Sequence, residues 1–387
     1  MTAPDPLPEP MALALELAQR HRALTPPNPS VGCVLTAPDG RILGQGWTQP
    51  TGGPHAEIQA LRDAQARGNA VTGATAYVTL EPCAHQGRTG PCCEALIAAG
   101  IARVVAAIAD PNPLVAGRGL ARLRAAGIAV EVGPGAAQAR ELNLGFLSRM
   151  LRKTPWVRMK IAASLDGRTA LEDGRSQWIT SAAARADGHA WRARASAVLT
   201  GVGTVREDDP QLDVRLVPCS RQPMPVVVDS RLDIPTAARL LQPGRNPLIF
   251  AADPDPQRVA ALQACGATVV LLPGAPPEPR PGAGSPAGRK VDLRAMLADL
   301  ASRGCNELHV EAGSALNGSL LREGLVDELL VYLAPSLIGQ GRPMAAFGPL
   351  ASLAERLPLT FLSTTLVGPD LRIVARGVGR DDFATSP

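Results

Sequence analysis

Residues 79–93, TLEPCAHQGRTGPCC, together with HAE at 55–57, decide how this chain is read. The first residues of the longer stretch end a β-rich run, ATAYVTL (74–80), and its last two begin CCEALIAAG (92–100), whose apolar positions recur at helical spacing. His55 opens a second helical segment, HAEIQALRDAQARG (55–68). One imidazole and two thiols, from His55, Cys83 and Cys92, therefore sit at the ends of a strand and two helices. That donor set suits zinc, with a fourth position left for water. Glu57 stands two residues beyond His55, so within a helix the two side chains diverge and one ion cannot take both. Its carboxyl is free to carry protons.

Working outward, PEPMALALELAQRHRAL (8–24) is helical in pattern, and VGCVLTAPDGRILGQGW (31–47) holds two apolar runs around Pro38-Asp39-Gly40, a hairpin signal. A further apolar run, ARVVAAIA, lies at 102–109, with helices predicted near 117–127 and 136–147. Charge density rises at SRMLRKTPW (148–156) and a proline intervenes, which sets the expected domain boundary: 1–150 and 151–387. Strand signals resume at WVRMKIAAS (156–164), SAVLTG, PVVVD, PLIFA, ATVVLL, ELHVE and DELLVYLA, between helices predicted near 181–194, 256–265, 291–303 and 314–323. This alternation predicts an α/β fold in both halves. Residues 272–289, LPGAPPEPRPGAGSPAGR, are too poor in core-forming side chains to be anything but a flexible insertion. No repeat at a fixed period is present.

Composition narrows the function. At 387 residues, with 45% hydrophobic and 19% charged residues, the chain has material for two or more packed cores. No uncharged apolar run is long enough for a membrane span, and MTAPDPLPEP lacks the basic and apolar regions of a signal peptide, so a cytoplasmic protein is expected. The net charge of +4 is spread evenly, with 12 basic against 11 acidic residues in 1–150. Aromatic residues make up 3%, too few for a stacking surface, so no nucleic-acid partner is expected; small anionic ligands remain. The seven cysteines are read as reduced thiols with metal ligation as their first use. Lysine occurs only at 153, 160 and 290, arginine supplying the other 36 basic residues, so Lys160 stands out within its β-rich run.

The His/Cys/Cys set with a neighbouring glutamate is the division of labour of zinc-dependent nucleobase deaminases, in which the metal activates water and the glutamate moves protons to the leaving amine. The common second pair is Pro-Cys-x-x-Cys, whereas AHQGRTGP separates Cys83 from Cys92 here, which argues against a cytidine or transfer-RNA deaminase. NPSVG (28–32), HAE, TLEPCAHQGRTGPCC, DPNP (110–113), NLGFLSRM (143–150) and SLDGRTA (164–170) together resemble the bifunctional deaminase/reductases of riboflavin biosynthesis over nearly the whole chain. The resemblance implies a cytidine-deaminase-like N-terminal domain and a dihydrofolate-reductase-like C-terminal domain. It assigns His55, Cys83 and Cys92 to zinc and Glu57 to proton transfer. Cys93 follows Cys92 in a helix, about 100° further round, so one ion should not take both. The implied substrate is a diaminopyrimidinone carrying a ribosylamino 5-phosphate, with Asn28, His85 and Arg88 as contacts; Asn28 is suited to a heterocycle edge. His21 and Cys33 are expected to be structural.

In the second half the GxGxxG fingerprint is missing, since Gly201-Val202-Gly203 has no third glycine at the expected offset. SLDGRTA, SQWIT (176–180), TGVGTVREDDPQLDVR (200–215), VVVDSR (226–231) and VEAGSALNGSLL (310–321) instead resemble the reductase half of the same family, which uses NADPH. By position the resemblance assigns nucleotide contacts to Ala162, Trp178, Thr204, Asp208, Ser230 and Gly313. Substrate contacts fall to Ser176, Arg192, Leu212, Arg215 and Glu311. Arg192 and Arg215 make sense as phosphate forks, because guanidinium presents paired donors. Lys160 is expected to touch the substrate sugar or polarise an imine, and Asp166, in an Asp-Gly pair, to form a turn. The implied reactions are deamination followed by NADPH-dependent reduction of the ribosyl group to ribityl, by a possible homo-oligomer. Three other readings differ from it: one half inactive, a structural zinc closed by Cys93 or His85 in a nucleotide-binding module, or a nucleic-acid deaminase.

Overall fold

The computed structural model describes residues 7–84, 90–112, 116–253, 255–275 and 288–383. They form two units, Met1–Lys153 with the last residues from Phe383 onward, and Thr154–Asp382.

In the first unit the order is α1 (Glu9–His21), β1 (Gly32–Thr36), β2 (Ile42–Trp47), α2 (Ala56–Ala66), β3 (Thr75–Val78), α3 (Cys92–Ala98), β4 (Arg103–Ala106), α4 (Arg118–Ala125), β5 (Ala129–Val132), α5 (Ala136–Leu142) and α6 (Leu144–Leu151). The sheet runs β2-β1-β3-β4-β5. β1 and β2 form the expected antiparallel hairpin, and β3, β4 and β5 are parallel. Side-chain size fixes how α2 lies on this sheet. Ala56, Ala60 and Ala64, one helical turn apart, are fully buried and face Gly44 and Gly46 of β2. A Cβ at Gly44 would stand 2.3 Å from the carbonyl oxygen of Ala60, and one at Gly46 2.3 Å from that of Ala56. Only glycine allows that approach.

The single helix predicted over 136–147 is two helices, and the second runs on to Leu151. The break falls at Asn143, whose side chain is turned to residue 30: Oδ1 accepts from Ser30 N–H at 2.8 Å and Nδ2 donates to its carbonyl at 3.0 Å.

The second unit comprises β6 (Trp156–Ser164), β7 (Arg168–Ala170), α7 (Ala182–Arg194), β8 (Ala197–Gly201), α8 (Val202–Asp208), β9 (Met224–Val228), β10 (Leu248–Ala251), α9 (Pro256–Ala264), β11 (Thr268–Leu271), α10 (Leu293–Ser302), β12 (Glu307–Val310), α11 (Ser314–Arg322), β13 (Glu328–Ala334), β14 (Arg342–Pro343), β15 (Leu359–Val367) and β16 (Asp370–Gly377). A nine-stranded sheet runs β11-β10-β9-β8-β12-β6-β13-β16-β15. Its first seven strands are parallel, and β16 and β15 close it antiparallel. At its centre Arg158, 2% exposed, bridges Glu307 at 2.6 Å and Glu328 at 2.5 Å on the strands to either side. A charge so deep is tolerated because both partners are strand neighbours that satisfy its donors. Asp166 makes the expected turn, accepting from Ser164 Oγ and from the backbone N–H of Ile338 and Gly339.

Other elements also depart from the sequence reading, among them the short strands β5, β7 and β14, which carry no predicted strand. The G-x-G turn after β8 continues directly into a short helix, α8, and the last hairpin, β15–β16, carried no recognised strand signal because β15 is exposed almost throughout and does not alternate. At the Pro/Gly-rich insertion, Gly274 N–H bonds to Lys290 O at 2.8 Å and Asp292 N–H to Leu272 O at 2.9 Å, closing its base; 276–287 lie outside the described residues.

The alanine–glycine contact yields a prediction. Gly46→Ala drives a methyl into the backbone of α2 and should cost about 1–3 kcal/mol or more, read as a lower midpoint of denaturant unfolding. Zinc content should fall with it, because α2 begins beside His55.

Candidate active sites

His55 is the residue preceding α2, in extended conformation, rather than the first residue within the helix. Cys83 lies in the segment after β3, and Cys92 is the first residue of α3. His55 Nδ1 is 3.6 Å from Cys83 Sγ and 3.3 Å from Cys92 Sγ, and the three ligand atoms lie within 4.8 Å of one another. Zinc bonds of about 2.3 Å to sulfur and 2.0 Å to nitrogen, at tetrahedral angles, require nitrogen–sulfur edges of about 3.6 Å. The site has the size of the ion.

The electrostatics agree with the donor set. The Cys92 thiol and His55, both bonded to Cys83, hold the Cys83 thiol down to about 4. Cys92 is pushed up, because the two sulfurs share one proton. Glu57 is 4% exposed, and burial, assisted by the Cys83 charge, pushes its carboxyl up to about 7. It can both accept and release a proton near neutral pH. Cys93 turns into the apolar core with Leu96, away from the three ligands.

A cavity of about 250 Å³ opens over this group, lined among others by Asn28, Thr48, His55, Glu57, Cys83 and Asp110. Glu81 holds its far side together: its two buried oxygens accept from the N–H groups of Asp110, Gly117, Gly119 and Leu120 at 2.9–3.3 Å. Burial pushes the Asp110 carboxyl up to about 7. Of the three expected substrate contacts, Asn28 lines the cavity, whereas His85 and Arg88 lie outside the described residues. Asp110, Asn112, Phe146, Arg149 and Met150 line it without having been singled out as individual residues. Their only signal was membership of DPNP and NLGFLSRM, since none belongs to a spacing that chemistry dictates. His21 stacks on Trp47 at 4.1 Å and Cys33 is buried in β1, both structural.

In the second unit the residues cluster where parallel strands end, the usual ligand-binding edge of such sheets. Glu311, just past β12, is the hub. Arg192 on α7 grips it through Nε and through Nη2 at 2.8 Å, His309 Nε2 lies at 3.3 Å, and Lys160 Nζ at 3.9 Å. Burial acts to raise its carboxyl, but the charge and hydrogen bonds of Arg192, with the charge of Lys160 and the neighbouring His309, outweigh it and hold it well below the usual range. Burial lowers the Lys160 amine, with Glu311 opposing and Arg192 assisting. The forked edge of Arg192 is therefore engaged by Glu311, and its Nη1 donates to Asp213 O at 2.8 Å. Arg215 pairs with Asp213, and its backbone N–H donates to His189 Nδ1 at 3.2 Å.

Several of the expected nucleotide contacts follow strands that end at the same edge. Gly313 caps α11 where β12 ends, and a Cβ there would stand 3.6 Å from Thr204 Oγ1 of α8, which follows the adjacent β8. At Gly203 a Cβ would meet nothing within 4 Å. Two neighbouring strands thus each lead through glycine into a helix start, an arrangement that fits the phosphates of a dinucleotide. Ser176 Oγ bonds to Asp208 at 3.4 Å, Ala162 lies in β6, and Ser230 follows β9. Trp178 is 66% exposed beneath the Arg185 guanidinium. Leu212, only 2% exposed, has its side chain in the core with Val205 and Val227, so any ligand contact there is through its backbone.

These sites match known proteins in the same order along the chain. The family model of the cytidine and deoxycytidylate deaminase zinc-binding region matches residues 7–108, and that of the RibD C-terminal domain residues 155–373. Riboflavin biosynthesis protein RibD of Escherichia coli K12 is 45% identical over 93% of this chain and 96% of its own, and that of Aquifex aeolicus 39% identical over 94% and 96%. Among solved structures, Acinetobacter baumannii RibD superposes with a TM-score of 0.83 at 40% identity, covering 95% of this chain and 98% of that one. A diaminohydroxyphosphoribosylaminopyrimidine deaminase/5-amino-6-(5-phosphoribosylamino)uracil reductase from Thermotoga maritima gives 0.82 at 29% identity, covering 95% and 97%. A zinc-binding, cytidine-deaminase-like unit is thus joined to a dihydrofolate-reductase-like unit that uses NADPH. The chain belongs to the RibD family, the bifunctional deaminase/reductases of riboflavin biosynthesis.

The ligand geometry predicts metal content directly. Elemental analysis should find zinc in the wild-type chain and in Cys93→Ala, and little in Cys83→Ala or Cys92→Ala, with reductase turnover retained in all of them.

Proposed function

We propose that residues 1–150 deaminate 2,5-diamino-6-(5-phosphoribosylamino)pyrimidin-4(3H)-one and that residues 151–387 then reduce its ribosyl group to ribityl. The buried Glu57 carboxyl beside the His55, Cys83 and Cys92 ligand set is the observation that carries the first step. When bound, zinc supplies water acidified for attack at neutral pH. Glu57 takes a proton from that water and delivers it to the departing amine, so that C–NH₂ and water become C=O and ammonia. Asn28 reads the pyrimidine edge, and His85 and Arg88 are assigned as further substrate contacts.

For the second step NADPH supplies hydride to C1′ of the opened sugar. Ala162, Trp178, Thr204, Asp208, Ser230 and Gly313 hold the dinucleotide. Ser176, Arg192, Leu212, Arg215 and Glu311 hold the substrate, Leu212 through its backbone. Lys160 donates to the sugar oxygen or imine nitrogen, and Glu311 keeps its amine oriented. Support for this reading is the 3.9 Å Lys160–Glu311 pair at the sheet edge where the glycine turns open.

The reading places the protein in the cytoplasm, acting on a small phosphorylated pyrimidine without nucleic acid or membrane. No described helix is long and apolar enough to cross a membrane. A homo-oligomer is supported by β15, an edge strand exposed along its length with Phe361 and Leu366 outward. Sedimentation should find a dimer or larger, shifted toward monomer by Phe361→Lys; a wild-type monomer at high concentration counts against it.

Paired variants test the division of labour by mass spectrometry of the products. Glu57→Gln should keep zinc, lose deamination by about 10²–10⁴-fold, and still reduce supplied deaminated substrate. Lys160→Met should show the reverse pattern. Full reductase turnover and affinity in Lys160→Met would remove its assigned role.

A further inference from the structure

The motif NLGFLSRM has no part in either reaction as described, yet it builds one wall of the deaminase cavity. Phe146, Arg149 and Met150 stand at i, i+3 and i+4 of α6, share a helix face, and all line the cavity. Two fastenings hold that face in place. Asn143 exchanges two hydrogen bonds with Ser30, and Arg149 Nη2 donates to the carbonyl of Pro27 at 2.9 Å, the residue before Asn28.

The charges around the cavity give this arrangement a purpose. Its lining carries the carboxyl groups of Glu57, Glu81 and Asp110, and among the described lining residues Arg149 is the permanent cation. A phosphate entering a partly enclosed cavity gives up hydration, and its charge is poorly screened there. It needs a fixed cation, and guanidinium answers phosphate geometry with paired N–H donors. Arg149 is half-buried, and its Nη2 is anchored on Pro27 O at 2.9 Å.

We propose that Arg149 is the phosphate anchor of the deaminase cavity, with Phe146 and Met150 as the apolar wall along the ribose, so that this site selects phosphorylated over unphosphorylated pyrimidine. The proposal rests on the deaminase reading of the first unit.

Two compounds test it: the diaminopyrimidinone ribosylamino 5-phosphate and the same molecule after phosphatase treatment, each assayed by ammonia release. In Arg149→Met, kcat/KM for the phosphorylated compound should fall about 10- to 100-fold, through KM, with the loss confined to that compound. Arg149→Lys keeps the charge without the fork and should fall between; it keeps the test open where the methionine variant does not fold. Zinc content and reductase turnover on deaminated substrate report folding. Equal losses on both compounds, or no loss on either, overturn the anchor. Ammonia release from neither compound by the wild-type enzyme overturns the deaminase reading itself, and the anchor with it.

Discussion

The constraint on which the first site depends is the contact of one helix with one strand through almost no side chain at all. Ala56, Ala60 and Ala64 lie on Gly44 and Gly46, backbone against backbone, and this sets where α2 begins. His55 and Glu57 flank that beginning. Both therefore take their positions from a packing distance with no margin for a methyl group. On the opposite side Glu81 does comparable work with hydrogen bonds, drawing four backbone N–H groups onto one carboxylate and fixing the segment that brings Asp110 to the cavity. A buried carboxylate with four donors is fully compensated, so a charge can be spent on shape.

The second unit reaches the same end differently. Its sheet is held at the centre by Arg158 between Glu307 and Glu328, and at the strand ends a second carboxylate, Glu311, gathers Arg192, His309 and Lys160. The first cluster is sealed from solvent and serves the fold. The second lies at an edge where glycine turns leave space, and there the same kind of pairing orients an amine of lowered basicity.

What could be read in advance follows from how tightly chemistry restricts residue choice. Zinc accepts few donors, so His55, Cys83 and Cys92 were legible from type and spacing, and Glu57 from its offset. Alternating strands and helices gave both α/β units. Residues that act by position escaped: Asp110 and Arg149 belong to no obligatory spacing and reach the cavity only because loops and α6 fold back over it. Arg192 drew attention as a candidate phosphate fork, but the sequence could not show that Glu311 already occupies that fork, since the two are distant in sequence. β15 escaped because an exposed edge strand need not alternate apolar and polar residues.

Asn143 ties residue 30 to a helix that begins more than a hundred positions later. The zinc-binding region proper matches only 7–108, and a fragment cut there would retain every metal ligand and Glu57. It would still lack the α6 wall, so its binding site would open to solvent on that side. An excised deaminase unit therefore has to extend through α6 rather than stop at the ligand set, and an artificial fusion that joins the two activities at any earlier point would keep His55, Cys83 and Cys92 but lose the wall formed by Phe146, Arg149 and Met150.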